Sequence, residues 1–267
     1  MSSPPPENQE DIWNNIPTTE FSEEGQNVTH QEPESPMTYE KARSLLVDFD
    51  AKSGLSAIAY KPHVRRFCFG PAVLTKANLD SVIQFMCLSK VDVSASTDSH
   101  AMLFSVFSLL TGDTGCTLTG QHWERVGFQG TDPRTDFRSC GLAALLQMLY
   151  LPSVHPKCAS VIYKLSQIPS ISFPYAVVSI NLTAHCLNAL RNGKVNKILN
   201  KQNDPFDTIM KLHAGAFLKF YSIWKSGSYS IVNVADVLQT ILKSVVNNPS
   251  LVVETFEKAS QAQFDEI

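Results

Sequence analysis

Leu142, Leu145, Leu146 and Leu149 stand at i, i+3, i+4 and i+7. That spacing puts all four on one face of an α-helix and would split them between the two faces of a strand. The same period recurs from about residue 77 onward. Leu79, Val82, Ile83 and Met86 form one apolar stripe, and Met102, Val106, Leu109 and Leu110 form another. Pro152 ends the leucine-rich helix, because proline has no N–H to continue the ladder. Further helices are expected at about 155–167, 175–191, 206–225, 233–247 and 250–263, with breaks at Gly227 and at Asn248-Pro249. Asn233, with Asp236 three residues on, resembles a capping arrangement. Thr38 to Phe49 carries Ala42, Leu45, Leu46 and Phe49 at helical spacing, whereas residues 65–69 read equally as strand or extended loop. No long alternating pattern and no repeat is visible. The fold class expected is all-α: one multi-helix domain with short connections.

A helical body needs a core, and 43% apolar residues in 267 supply one. The formal charge of −3 gives no overall attraction to nucleic acid or to anionic membrane. It conceals an asymmetry. Residues 1–36 hold eight acids, six prolines and no Lys or Arg, while the remaining chain carries 22 bases and 17 acids, a net of +5. The segment 1–36 is therefore read as a disordered acidic tail, unable to bury enough surface to offset its ordering entropy. Trp13 and Ile16 are its apolar exceptions, Trp13 being read as incidental rather than as a docking motif. Residues 37–76 are expected to be a helix and an irregular segment packed on the body, residues 77–255 the main domain, and 256–267 the end of the last helix. Six cysteines are spread evenly with no C-x-x-C pair, which suits buried or free thiols in a reducing compartment. No secretory leader, transmembrane stretch or prenylation cysteine is seen, so a cytoplasmic location is expected.

Several chemistries lack their parts. There is no phosphate-binding G-x-x-x-x-G-K-[ST] loop, no G-x-G-x-x-G after a strand, no H-E-x-x-H, no zinc-spaced Cys/His cluster and no G-x-S-x-G elbow. No metal site is expected. His185-Cys186 reads as a core pair, and His122 has no nucleophile paired to it in sequence.

One stretch is specified in detail. Residues 122–141 read His-Trp-Glu-Arg-Val-Gly-Phe-Gln-Gly-Thr-Asp-Pro-Arg-Thr-Asp-Phe-Arg-Ser-Cys-Gly. This is a long turn, stiffened by Pro133, that feeds the leucine-rich helix, with Thr135 or Asp136 able to accept its first free N–H groups. Trp123 and Phe128 are expected to anchor the loop on the core. Arg138 is the odd residue: in the first turn of that helix the macrodipole disfavours a cation. Either a carboxylate compensates, with Asp136 or Asp132 as local partners, or the guanidinium and the free N–H groups make an anion site suited to phosphate.

The pattern Trp123-x3-Gly127-Phe128-Gln129-x3-Pro133-x-Thr135-Asp136-Phe137-Arg138 resembles the signature of the ELMO domain, in particular that of the ELMO-domain-containing (ELMOD) proteins. His122-Trp123-Glu124 and Leu145-Leu146-x-x-Leu149-Tyr150-Leu151 look most like the third branch of those proteins. The resemblance covers about residues 77–255, though outside 120–152 it lies in helical character rather than in individual residues. It implies a GTPase-activating protein for Arf and Arf-like small GTPases, with Arg138 as the catalytic arginine supplied in trans. GTP and Mg²⁺ would belong to the partner, the chain having no cofactor of its own. Asp136 would orient Arg138 or cap the helix, the cap being the stronger reading. Gln129 would touch nucleotide or hold the loop through its backbone, the latter being favoured. Trp123, Gly127, Phe128 and Pro133 would be scaffold, and Arg125 and Arg134 nearby spare cations. A further partner-facing cluster is Arg191, Lys194, Lys197 and Lys201, suited to an acidic GTPase face or anionic lipid but also to an ordinary solvated helix face. Peripheral membrane association through the GTPase, and cytoskeleton-rich or ciliary structures, are further implications of the resemblance.

The engulfment-and-motility ELMO proteins share the domain but lack this arginine and act as scaffolds, so a non-catalytic GTPase-binding adaptor is the alternative. A third reading buries Arg138 in a salt bridge that holds the loop. One departure from the ELMOD pattern stands out. Where those proteins carry glycine after the arginine, this chain has Ser139, followed by Cys140 and Gly141. That change weakens activity if the glycine permits close backbone approach and is harmless if it only packs in a helix.

Overall fold

Residues 36–53 and 72–264 are described by the computed structural model, and among them the secondary structure is helical with no strand. The readings of residues 1–35, with Trp13 and Ile16, and of 65–69 lie outside the described residues. Ten α-helices are laid down there. Helix α1 is Tyr39–Ser53, α2 Lys76–Leu88, α3 Thr97–Thr111, α4 Gly141–Val154 and α5 Pro156–Ser166. Then follow α6 Tyr175–Arg191, α7 Asn196–Leu199, α8 Pro205–Ser226, α9 Val234–Asn247 and α10 Pro249–Gln261.

The caps explain where these helices begin. The Thr75 hydroxyl accepts the Asn78 N–H at 3.3 Å to start α2, and Ser96 accepts from Ser99 to start α3. Asp204 accepts the Asp207 N–H at 3.0 Å, and Pro205 sits at the first position of α8, where its missing donor is not needed. The expected Asn233–Asp236 cap is a different device. The Asn233 carboxamide accepts the Ser230 N–H at 3.0 Å, closing a 3₁₀ turn, Ile231–Asn233, ahead of α9.

Helix α4 is buried all round from Gly141 to Pro152, the signature of a helix at the centre of a bundle. Helices α1, α2, α3, α5, α6 and α8 pack against it. Helix α8 is the second hub and carries α9 and α10 on its far side. The α3 stripe is rotated from the expected one. Met102, Leu103, Val106 and Phe107 are buried, whereas Leu109 is 43% exposed. The shift has a tertiary cause: the Phe107 ring meets Trp123 edge-on at 5.2 Å, so the 121–125 loop decides which face of α3 turns inward. Cys140, Cys158 and Cys186 are buried free thiols, and Cys87 and Cys116 are also buried. No helix among the described residues is long and apolar enough to cross a membrane.

Candidate functional site

The loop between α3 and α4 is built around Trp123. Its ring is fully buried, and its indole N–H donates to the Thr117 and Leu118 carbonyls, each at 3.1 Å. From there an aromatic chain runs inward, with Trp123 to Phe128 at 5.5 Å and Phe128 to Phe137 at 5.7 Å. His122 is committed to the same frame through a 2.9 Å contact with the Thr117 carbonyl. Gly127 seats the loop on the start of α6. Its φ is +89°, and a Cβ there would lie 2.5 Å from the Tyr175 nitrogen. The Val126 and Gly127 carbonyls take the Ala176 and Val177 N–H groups, donors that a helix start leaves unpaired.

The second half of the loop differs from its sequence reading. Thr135 and Asp136 do not start the long helix. Pro133–Phe137 is a separate 3₁₀ turn, capped by the Asp132 carboxylate, which accepts the Arg134 N–H at 3.0 Å. Gly141, at φ +50°, then interrupts the chain before α4 begins. Arg138 therefore lies outside the first turn of α4, on a non-helical corner made of residues 138–140. The cap assigned to Asp136 is also corrected: its carboxylate accepts the Gln129 N–H at 2.7 Å, stapling the two halves of the loop. Burial pushes the Asp136 carboxyl above its ordinary range, with the Gln129 hydrogen bond and the Arg138 charge pulling the other way. Gln129 holds the loop through its backbone while its side chain stays exposed. The Thr135 hydroxyl donates to the Asp132 carbonyl at 2.9 Å.

Asp113, Asp132 and Asp136 are each engaged with groups other than Arg138. Asp132 takes a two-point contact from Arg134, at 2.9 Å from Nε and 2.7 Å from Nη2. Burial pushes the Asp132 carboxyl upward, but those hydrogen bonds and the Arg134 charge outweigh it and hold the group below its usual range. Arg125 pairs with Asp113 at 2.9 Å and lies 5.4 Å from the Phe107 ring centroid. Arg125 and Arg134 are thus engaged rather than spare. Arg138 is exposed and has no hydrogen bond or ion pair among the described residues. Neither Asp136 nor Asp132 forms an ion pair with it, and the reading that buries it in a salt bridge is overturned.

Ser139 is exposed, and its backbone is not left-handed, since Gln263 and Phe264 are the only non-glycine residues with positive φ among the described ones. The corner therefore makes no conformational demand for glycine at this position. Cys140 is buried, its thiol donates weakly to the Ile180 carbonyl at 3.8 Å, and burial raises its pKa, so it is not an activated nucleophile. His185 and Cys186 do not form a metal site, and no group of residues able to hold a metal is found among the described residues.

The corner is anchored from both sides. The Leu142 N–H donates to the Val91 carbonyl at 3.1 Å, and a Cβ on Gly141 would strike the Val91 and Leu88 carbonyls. This brings the turn after α2, with exposed Lys90, against the Arg138 corner. Nothing local in the sequence links residues 90 and 138. Arg191, at the end of α6, is exposed, as are Lys194, Lys197 and Lys201. The Arg191 and Lys90 charges both bear on the Cys140 thiol.

Comparison with known proteins places this geometry. The family model of the ELMO/CED-12 family matches residues 84–238, which include the whole loop. The chain is 30% identical over 210 residues to ELMO domain-containing protein 3 of Bos taurus, covering 77% of this chain and 54% of that protein. It is 28% identical, with the same coverage, to the Homo sapiens protein of that name. Against ELMO domain-containing protein 2 of Mus musculus it is 34% identical over 100 residues, or 37% of this chain and 34% of that one. The chain spans about half the length of the first of these curated relatives. No solved structure matches it.

Proposed function

The chain belongs to the ELMO/CED-12 family, and from that premise we propose that it is a GTPase-activating protein for an Arf or Arf-like small GTPase, with Arg138 as the arginine inserted in trans. One observation carries the reading. Arg138 is exposed and without a carboxylate ion pair among the described residues, on a corner held by buried Phe137 and Cys140. Phosphoryl transfer spreads negative charge over the γ-phosphate oxygens, and a guanidinium brought to them stabilises it by about 10³–10⁵ in kcat. The partner would supply GTP, Mg²⁺ and the residue that orients water. The activator needs one arginine and a docking surface, and membrane association would come through the GTPase. Phe137 and Cys140, both buried, clamp the backbone on either side of the arginine, so that only its side chain is ordered on docking.

The test is single-turnover GTP hydrolysis by a panel of Arf-family GTPases, with wild type and Arg138→Ala. Acceleration by wild type that falls by at least about a hundredfold in the variant is the expected result. Equal rates with the two proteins refute the proposal. Tight binding without acceleration by either protein would point to the adaptor role instead.

A further inference from the structure

Several cations among the described residues are held by carboxylates. Arg43, Arg125, Arg134 and Lys211 each hold a carboxylate, Asp204, Asp113, Asp132 and the pair Asp207 and Glu257 respectively. Lys90, Arg138 and Arg191 are exposed and have no carboxylate partner among the described residues. These three come from separate parts of the chain, and the fold gathers them at one corner. Lys90 sits between Ser89 and Val91, the backbone against which Gly141 packs. Helix α6 touches the same corner where the Cys140 thiol meets the Ile180 carbonyl, and the charges of Lys90 and of Arg191, at the end of that helix, both act on this thiol. The acids nearby form their ion pairs and hydrogen bonds with other groups. Asp92 accepts the Ser94 N–H at 2.9 Å, Asp136 accepts the Gln129 N–H, and Asp132 is held by Arg134.

Cations that converge from distant segments without an ion pair of their own keep their charge available to an external anion. Like charges on one face repel one another and are tolerated where an external anion compensates. We infer that Lys90 and Arg191 flank Arg138 as a cationic docking face for an acidic protein surface beside the nucleotide pocket of the GTP-bound GTPase. The inference deepens the proposed function and rests on it for the partner's identity. Lys90 and Arg191 are positioning residues in this scheme: they steer and orient, and Arg138 alone reaches the reacting atoms. Two flanking charges and a central one also favour one orientation of the partner over others.

The experiment measures binding apart from catalysis. The full chain, Lys90→Glu/Arg191→Glu, the neutral Lys90→Gln/Arg191→Gln and a control, Lys258→Glu on α10, are titrated against the same GTPases loaded with a non-hydrolysable GTP analogue. Charge reversal is expected to weaken binding by about tenfold or more, the neutral pair by less, and the control not at all. Wild-type affinity should also fall as salt rises from about 50 to 300 mM, and that of the reversed pair much less. In the hydrolysis assay the reversed pair should raise the half-saturating GTPase concentration while its maximal rate stays within about twofold. Unchanged affinity in the reversed pair, at unchanged melting temperature, overturns the inference. So does the absence of wild-type binding to every GTPase tried, or a loss confined to phosphatidylserine vesicles, which would assign the charges to a lipid surface. If wild type and Arg138→Ala accelerate hydrolysis equally while the reversed pair still loses binding, the catalytic reading falls and the docking face stands.

Discussion

Substituting Gly127→Ala tests whether the loop is held by its contact with α6. Two costs separate cleanly. The first is torsional: φ at Gly127 is +89°, and an L-residue in that region costs roughly 1–2 kcal/mol. The second is steric. The new Cβ would lie 2.5 Å from the Tyr175 nitrogen and 2.6 Å from the Pro174 Cα, and both are backbone atoms that cannot swing aside. The loop must lift, stretching the bonds from the Ala176 N–H to the Val126 carbonyl at 3.0 Å and from the Val177 N–H to the Gly127 carbonyl at 3.4 Å. Weakening both adds about 1–2 kcal/mol. The total is about 2–4 kcal/mol, or about 4–16 °C in Tm for a domain of this size. Gly130 is the internal control. Its φ is +74°, but a Cβ there meets nothing within 4 Å. Gly130→Ala therefore carries the torsional cost alone, about 1–2 kcal/mol. Chemical denaturation followed by circular dichroism measures both. Equal losses for the two variants would show that the close approach to α6 contributes nothing, and the account of how this loop is seated would fail.

Two further outcomes follow from the same geometry. Arg134→Ala strips a part-buried Asp132 of its two-point partner and should cost about 1–2 kcal/mol, whereas Arg138→Ala, which breaks nothing, should stay within about 0.5 kcal/mol; thermal melts of both variants check this, and a large loss in Arg138→Ala would contradict its freedom. His213 is buried in α8 with its Nε2 at 3.1 Å from the Ser179 carbonyl, and burial lowers its pKa to about 4, so the folded state resists a proton that the unfolded chain accepts at about 6.5. Stability should therefore be lost as pH falls from about 6.5 to 4, by up to about 3 kcal/mol, and His213→Leu should flatten that limb in urea titrations at stepped pH; parallel limbs would refute it.

The helical body was legible because its signal is local. The expected 175–191 helix is α6 with the same limits, Tyr175–Arg191, and the leucine row of α4 is buried throughout. What the sequence hid is long-range. The α3 stripe turned because Phe107 meets Trp123, a residue beyond its own helix. The start of α4 moved to Gly141 because that residue adopts φ +50° to let the Val91 and Leu88 carbonyls approach, a constraint from fifty residues upstream. In the loop, the anchoring roles of Trp123 and Phe128 were readable from residue type alone. The Asp136 staple was not, since an Asx cap and an acceptor for a backbone N–H seven residues earlier look identical in sequence. Lys90 was missed entirely: a lone lysine after a helix carries no signal until the fold sets it beside residue 138.

The state of Arg138 follows from how its neighbours are spent. Four cations and acids within a few residues would ordinarily collapse into a surface network of low net worth. Here Asp132 is both the cap of the 3₁₀ turn and the partner of Arg134, and Asp136 is fixed to the Gln129 N–H. Each acid is engaged with the backbone, Asp132 at the Arg134 N–H and Asp136 at the Gln129 N–H, and neither forms an ion pair with Arg138. An arginine side chain ordered in a complex loses about 2 kcal/mol of rotamer entropy, and a local ion pair would have to be broken in addition. With no such pair to break, a partner has only the entropy to overcome. In the proposed function, a corner carrying one guanidinium without an ion pair is a low-cost donor to an incoming anion.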